Sequence, residues 1–300
     1  MREKLPFSNV LIVGLARNCA KILEQEIRTL ASAFAQSKSV KWLIIESDSE
    51  DSTLDALNDL CENYSLRYIT LGHLRHKLPK RTERIALCRN RYLEEIKSNP
   101  EYEDIDFVVV ADLDGVNSEL TAQSVSSCWD LTVDWDACFA NQSKPYYDIW
   151  ALRHKAWSPN DCWESYRFLL DNGANKFNAI HACVESRMVR INKMRNPIEV
   201  ESAFGGLGIY KKRVLVQSSY HGLNAKDEEV CEHVSLHEKL REVGFKLYIV
   251  PILINCGWNE HNRNLKFRKK IQCRLRHYAL VLITLSISKD RLKQVIRKFR

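Results

Sequence analysis

Two carboxylates two residues apart, Asp112 and Asp114, follow the apolar run Phe107–Ala111 and precede Gly115. At the end of a buried strand such a pair can reach into one cleft. Its hard oxygen ligands suit Mg²⁺ or Mn²⁺, ions that bridge a diphosphate. In a random loop the same pair is a solvated turn. A second acidic stretch, Glu46-Ser-Asp48-Ser-Glu-Asp51, follows the apolar run Trp42–Ile45. Glu46 and Asp48 can accept hydrogen bonds from ribose hydroxyls or a base N–H. The bland alternative is a capping turn, which accounts well for Asp51 or Ser52.

Cations and glycines extend the set. Arg81 and Arg84 open a helical pattern that also carries Arg89 and Asn90. Cations at a helix start oppose the macrodipole, so they need a partner, and a diphosphate would be one. A solvated charged face is the competing reading. Gly205-Gly206 allows close backbone approach to a ligand. Glu232 and His233, near the start of another helix, can act as acid or base or bind acceptor hydroxyls, although spacing alone favours a solvent-facing helical Glu. His261, in Asn259-Glu-His-Asn262, is a candidate third metal ligand or a plain polar loop residue.

The elements that must position these groups are legible in the apolar periodicity. Val10–Val13, Trp42–Ile45, Tyr68–Leu71 and Phe107–Ala111 read as strands. Between them Cys19–Phe34, Thr53–Asn63 and Arg81–Lys97 read as helices. The βαβαβαβ order predicts a mostly parallel, doubly wound sheet, with Phe107–Ala111 central. The candidate polar residues Arg17, Glu46, Asp48, Asp112 and Asp114 then fall just past the carboxyl ends of strands. In open α/β sheets that edge binds ligands. The second half is less regular: a helix near Glu228–Val243, a strand Lys246–Val250 and the segment GWNEHN.

Composition bounds the remainder. The chain has 300 residues, 45% hydrophobic and 28% charged, which is ordinary globular composition. The net charge of +7 is uneven. From Arg263 to Arg300 thirteen Lys/Arg face one acid, a local +12 that leaves −5 for residues 1–262. The expected organisation is one α/β domain over 1–262 and a basic amphipathic tail over 263–300. The body is thus not a general nucleic-acid binder. The tail, with Leu292, Val295, Ile296 and Phe299 on one face, suits a helix lying on anionic lipid. A helix packed on the domain is the alternative.

Ten cysteines occur without a C-x-x-C pair, which argues against a zinc ribbon and for buried free thiols. The run Val10–Ala16 is read as a buried strand rather than a signal peptide, and Tyr278–Ile287 is too short to span a bilayer. A cytoplasmic protein, peripheral at the inner face of the membrane, is expected. The sequons at Asn63 and Asn141 are then accidental.

These pieces in this order resemble the GT-A fold of nucleotide-sugar-dependent glycosyltransferases, over roughly residues 8–262. Narrower segments are similar to the fungal capsule-associated mannosyltransferase family. They are Ile44-Ile-Glu-Ser-Asp-Ser-Glu-Asp-Ser-Thr53, Leu87-Cys-Arg-Asn90, Tyr146-Tyr-Asp-Ile-Trp-Ala-Leu-Arg153 and Glu229-Val-Cys-Glu232. The resemblance implies a GT-A-like (Rossmann-like) sheet flanked by helices and a metal-dependent transferase. The donor is a nucleoside-diphosphate sugar, the acceptor a glycan or lipid-linked hydroxyl, and the setting surface polysaccharide synthesis. Asp112 and Asp114 would hold Mn²⁺ or Mg²⁺, with His261 a possible third ligand. Arg17, Glu46, Asp48 and Gly206 would line the nucleotide pocket, and Arg84 and Arg89 would face the diphosphate. Asp148, Trp150 and Arg153 would shape the sugar or acceptor site, and Glu232 would be the base or acceptor anchor.

Two other classes compete. A sugar-nucleotide nucleotidyltransferase would carry a Gly-rich basic loop after the first strand, where this chain has Gly14-Leu-Ala-Arg17-Asn18. A non-enzymatic protein gripping nucleic acid by its tail leaves Asp112 and Asp114 unexplained.

Overall fold

The computed structural model describes residues 4–263 and Leu265. The chain divides into two compact units, Met1–Gly257 and a second beginning at Trp258. The tail expected over 263–300 lies, beyond Arg263 and Leu265, outside the described residues.

The first half of unit one follows the apolar pattern closely. The strands are β1 (Asn9–Ala16), β2 (Ser39–Glu46), β3 (Leu66–Thr70) and β4 (Phe107–Asp112). They alternate with α1 (Ala20–Ala33), α2 (Thr53–Asn63) and α3 (Arg81–Ser98). The second half adds α4 (Ala122–Ser126), β5 (Ala137–Gln142), α5 (Cys162–Asp171), α6 (Lys176–Cys183) and β6 (Ile198–Glu199). It closes with β7 (Leu207–Lys211), α7 (Lys212–Leu215), α8 (Glu232–Glu242) and β8 (Leu247–Cys256).

All eight strands join one sheet in the order β3-β2-β1-β4-β7-β5-β8-β6. The pairings β1 with β2, β1 with β4, β2 with β3 and β5 with β8 are parallel. Strand β7 runs antiparallel between β4 and β5, and β6 is an antiparallel edge. Six strands therefore share one direction, and the mostly parallel α/β sheet flanked by helices is observed. The doubly wound reading needs one amendment. The segment Gly205-Gly206, where no strand is expected, leads into β7, which brings Gly206 beside the end of β4.

Strand alternation builds two core layers. Leu11, Val13, Val108 and Val110 pack on one face with Tyr92, Leu93, Ile96 and Leu236 of α3 and α8. Val10, Ile12, Val109 and Ala111 pack on the other with Leu23, Ile27 and Leu57 of α1 and α2. Burial on both faces explains why β1 and β4 are apolar without interruption. The sheet order turns between β1 and β4, and in open α/β sheets the crevice at such a switch point, at the carboxyl ends of the strands, is where ligands bind.

The nine described cysteines are free thiols, eight of them buried. Asn141 is fully buried in β5, so the second sequon is closed to a glycan, while Asn63 is exposed. Among the described residues no helix is long and apolar enough to cross a membrane.

Candidate active site

The crevice is walled by the loops after β1 and β2. Asn18 and Asp48 both adopt left-handed backbone, with φ of 50° and 57°. Asn18 Oδ1 accepts from Glu50 N at 2.7 Å, and Cys19 N donates to Thr53 Oγ1 at 2.9 Å, lacing the loops together. Arg17 is exposed at this edge, with Nε 3.4 Å from Asp48 O.

The acids of the second loop face the protein. Glu46 Oε1 accepts from Ser49 N at 3.1 Å, and Oε2 accepts from Thr70 Oγ1. Asp48 Oδ1 accepts from Arg75 N at 3.0 Å, and Oδ2 lies 3.6 Å from Arg84 Nε. Arg84 Nη1 donates to Leu78 O and Pro79 O at 2.6 and 2.7 Å. Glu46, Asp48 and Arg84 thus brace the wall and the 75–80 loop. Of the six groups placed around the nucleotide and diphosphate, Arg17 is the exposed one.

Arg89 occupies the centre. Three elements converge on it: α3 carries the guanidinium, β4 ends in Asp112 and α8 begins with Glu232. The side chain is 5% exposed, with Nε 3.0 Å from Glu232 Oε1 and Nη2 3.3 Å from Asp112 Oδ1. Its carbon lies 5.3 Å from the Phe204 ring centre and 5.7 Å from that of Tyr220. Nη1 is buried without a hydrogen-bond partner among the described residues.

Asp112 is 36% exposed on its cleft side. The surrounding protein pushes its carboxyl up to about 7, against the pull of Arg89, with Asp114, Asp148 and Glu232 adding repulsion. Three further carboxylates thus act on Asp112, and Arg89 pairs with two of the four acids, Asp112 and Glu232. Asp114 sits in the exposed turn, ahead of Gly115 at φ 94°. Asp148 Oδ2 accepts from Gly205 N at 2.9 Å and Oδ1 from Ala151 N at 3.3 Å.

This charge imbalance fits a divalent cation. Among the described residues no three His, Cys, Asp or Glu side chains gather to hold one. An ion here would take one or two carboxylates and complete its shell with ligand oxygens or water, as Mg²⁺ commonly does. His261 belongs to the second unit, where its N donates to Asn259 Oδ1 at 3.0 Å.

Trp150 and Arg153 converge elsewhere. Trp150 Nε1 and Arg153 Nη2 lie 3.1 and 2.8 Å from Asp161 Oδ2, and Asp161 also caps α5. Arg153 and Asp161 line a cleft of about 900 Å³ that reaches Glu229 and Cys231, just before α8.

Gly206 makes its close approach to protein. It has φ 86°, and a Cβ there would meet Val116 Cγ2 at 2.6 Å and Tyr147 Oη at 2.8 Å. Its carbonyl accepts from Asp112 N at 2.9 Å. Gly206→Val is expected to destabilise the fold by about 2 kcal/mol or more, from overpacking and left-handed strain. Urea unfolding measures it, and an unchanged midpoint would refute this packing role.

A buried amide ladder beneath the site has no signature in residue spacing. Asn117 Nδ2 donates to Asp112 O at 2.8 Å and to Glu26 Oε2 at 3.0 Å. Asn255 Nδ2 and Gln142 Nε2 both donate to Gly205 O, at 2.8 and 3.2 Å. The ladder ties the Asp112 turn to Gly205 and so to Asp148. The only hint in the sequence is amides closing apolar runs, Asn141-Gln142 and Asn255.

His233 is buried, stacked 3.8 Å from Phe204, which removes it from the cleft surface. His237 Nδ1 and Nε2 lie 2.8 Å from Ser202 Oγ and Tyr210 Oη. Burial pushes His233 well below the ordinary 6.5, with Arg89 and His237 adding to it. Burial, then Arg89, brings His237 down to about 3. Both native histidines therefore refuse protons that the unfolded chain accepts below pH about 6.5. Their contribution to stability is present above that pH and is lost as pH falls toward the folded values. Urea midpoints at pH 7.5 and pH 5 should differ, and His237→Gln should shrink the difference. An equal difference in the variant would contradict this assignment.

No family model matches the chain, and no curated protein matches it. Solved structures do. The mannosyltransferase PcManGT from Pyrobaculum calidifontis, in complex with GDP-Man and Mn²⁺, is 13% identical. That match covers 85% of this chain and 58% of the other, with a TM-score of 0.46. TarS 1–349 from S. aureus, in complex with UDP-GlcNAc, is 11% identical over 84% of this chain and 59% of that one, with a TM-score of 0.49. Glucosyl-3-phosphoglycerate synthase from Mycobacterium tuberculosis, with Mn²⁺, UDP and phosphoglyceric acid, is 13% identical over 83% and 67%, at 0.41. The chain spans under two thirds of the length of the first two.

Proposed function

We propose that this chain is a metal-dependent glycosyltransferase of the GT-A type. It moves a sugar from a nucleoside-diphosphate sugar to a hydroxyl of a glycan or lipid-linked acceptor, as in surface polysaccharide synthesis. The observation that carries this reading is the surplus of carboxylates acting on Asp112, at the carboxyl end of β4, over the one arginine paired with it. Asp112 and Asp114 would hold Mn²⁺ or Mg²⁺. When bound there, such an ion would supply positive charge that stabilises a diphosphate leaving group.

The chain's own residues do the rest. Arg89 holds Asp112 in place and lowers the local negative charge. Glu232 is buried behind it and acts through it, a positioning residue rather than a base at the cleft. Asp148, turned by two backbone N–H groups, is the acid proposed to meet the sugar or the acceptor hydroxyl. Arg17 is the exposed cation offered to the nucleotide.

The nucleotidyltransferase alternative is weakened by β1. Gly14 lies inside the strand, paired with Ile44 and Ala111, and does not form a Gly-rich loop. Calorimetric titration with UDP, GDP and CMP, with and without Mn²⁺, tests the reading. At least one nucleotide should bind at least about tenfold more tightly with the metal, some 1.4 kcal/mol. Absence of binding to all three would sink it.

A further inference from the structure

On the same carboxyl edge of the sheet, a second cavity of about 630 Å³ opens at the ends of β5 and β8. Its lining includes Gln142, Ser143, Ile254 and the loop Arg190–Lys193, and none of Asp112, Asp114 or Asp148. Gln142 is fully buried. Its Nε2 donates to Gly205 O and Asn255 Oδ1, both at 3.2 Å. Two acceptors at one end of the amide identify the other end as oxygen. That Oε1 is buried without a partner among the described residues. A buried acceptor left unpaired costs about 1–3 kcal/mol, which a ligand hydroxyl would relieve.

The rim supplies charge. The 189–193 loop is tied down by Tyr146 N donating to Val189 O at 2.9 Å and Asn141 Nδ2 to Ile191 O at 3.4 Å. Arg190 and Lys193 are exposed on it and have no carboxylate partner among the described residues. Glu119 is the one acid in the lining, so the cavity is net positive. Its volume is within the range of small-ligand sites.

We propose that this cavity binds an anionic polyol, a sugar carrying a phosphate or carboxylate. A ring hydroxyl donates to Gln142 Oε1, and Arg190 and Lys193 hold the charged group. Gln142 and Asn255 share the Gly205 carbonyl, and Gly205 N holds Asp148, so an occupant is linked to Asp148 through a short hydrogen-bonded path. The site stands apart from the metal-binding acids, so it holds whatever reaction they serve.

The test uses the full chain without nucleotide, titrated with glucose 1-phosphate, glucuronate, glucose and inorganic phosphate. One or both charged sugars should bind at least about tenfold more tightly than glucose or phosphate. Which of the two binds more tightly distinguishes phosphate from carboxylate. The double variant Arg190→Ala/Lys193→Ala should lose at least about tenfold. The side-chain amide resonance of Gln142 should shift on binding, which a purely electrostatic rim contact would not cause. No binding of either charged sugar, equal binding of free phosphate, or unchanged binding by the double variant would overturn the proposal.

Discussion

Arg89→Met is expected to lower stability by about 3–5 kcal/mol and to abolish donor turnover. Removing the guanidinium strands Glu232, 6% exposed, and deprives Asp112 of the one cation paired with it among the described residues. Breaking a buried pair by deleting one partner costs that much because the remaining charge has no water to turn to. Arg89→Lys keeps the charge but cannot reach Asp112 and Glu232 at once with the guanidinium's fork. It should retain more stability than Arg89→Met while still losing turnover. Chemical unfolding and steady-state assays read the two effects separately. Wild-type stability in Arg89→Met would show that Arg89 does not hold the site together.

Asp114→Asn should reduce metal-dependent turnover by at least about a hundredfold, through lost metal affinity and lost charge stabilisation. Its side chain lies in an exposed turn, so the unfolding midpoint should stay close to that of the wild type. Asp112→Asn is a different case, because Asp112 also carries the contact to Arg89, and there stability and turnover should fall together. Turnover undiminished in Asp114→Asn would remove this residue from the metal site.

These two residues mark what could be read before the fold was known. The four early strands announce themselves because burial on both faces demands unbroken apolar runs, and their ends located Asp112, Glu46 and Arg17 correctly. Strand direction leaves no such trace, so the antiparallel β7, whose insertion sets Gly206 against Asp112, is absent from the expected strands. The pairing of Arg89 with Glu232 joins positions 143 residues apart, and no local pattern records it. Glu46, Asp48 and Arg84 were legible as polar groups at a ligand edge. That they face inward depends on Thr70, Arg75 and the carbonyls of Leu78 and Pro79, contacts made only when the loops meet. The amide ladder of Asn117, Asn255 and Gln142 was invisible for the same reason.

The central claim, a metal-dependent sugar transferase, is tested most directly by donor turnover. UDP-, GDP- and CMP-sugars are incubated with the full chain in Mn²⁺ and in EDTA, and release of the nucleoside diphosphate or monophosphate is followed. Turnover of at least one donor, present with Mn²⁺ and lost with EDTA, is the predicted result. No turnover of any donor under either condition would contradict it.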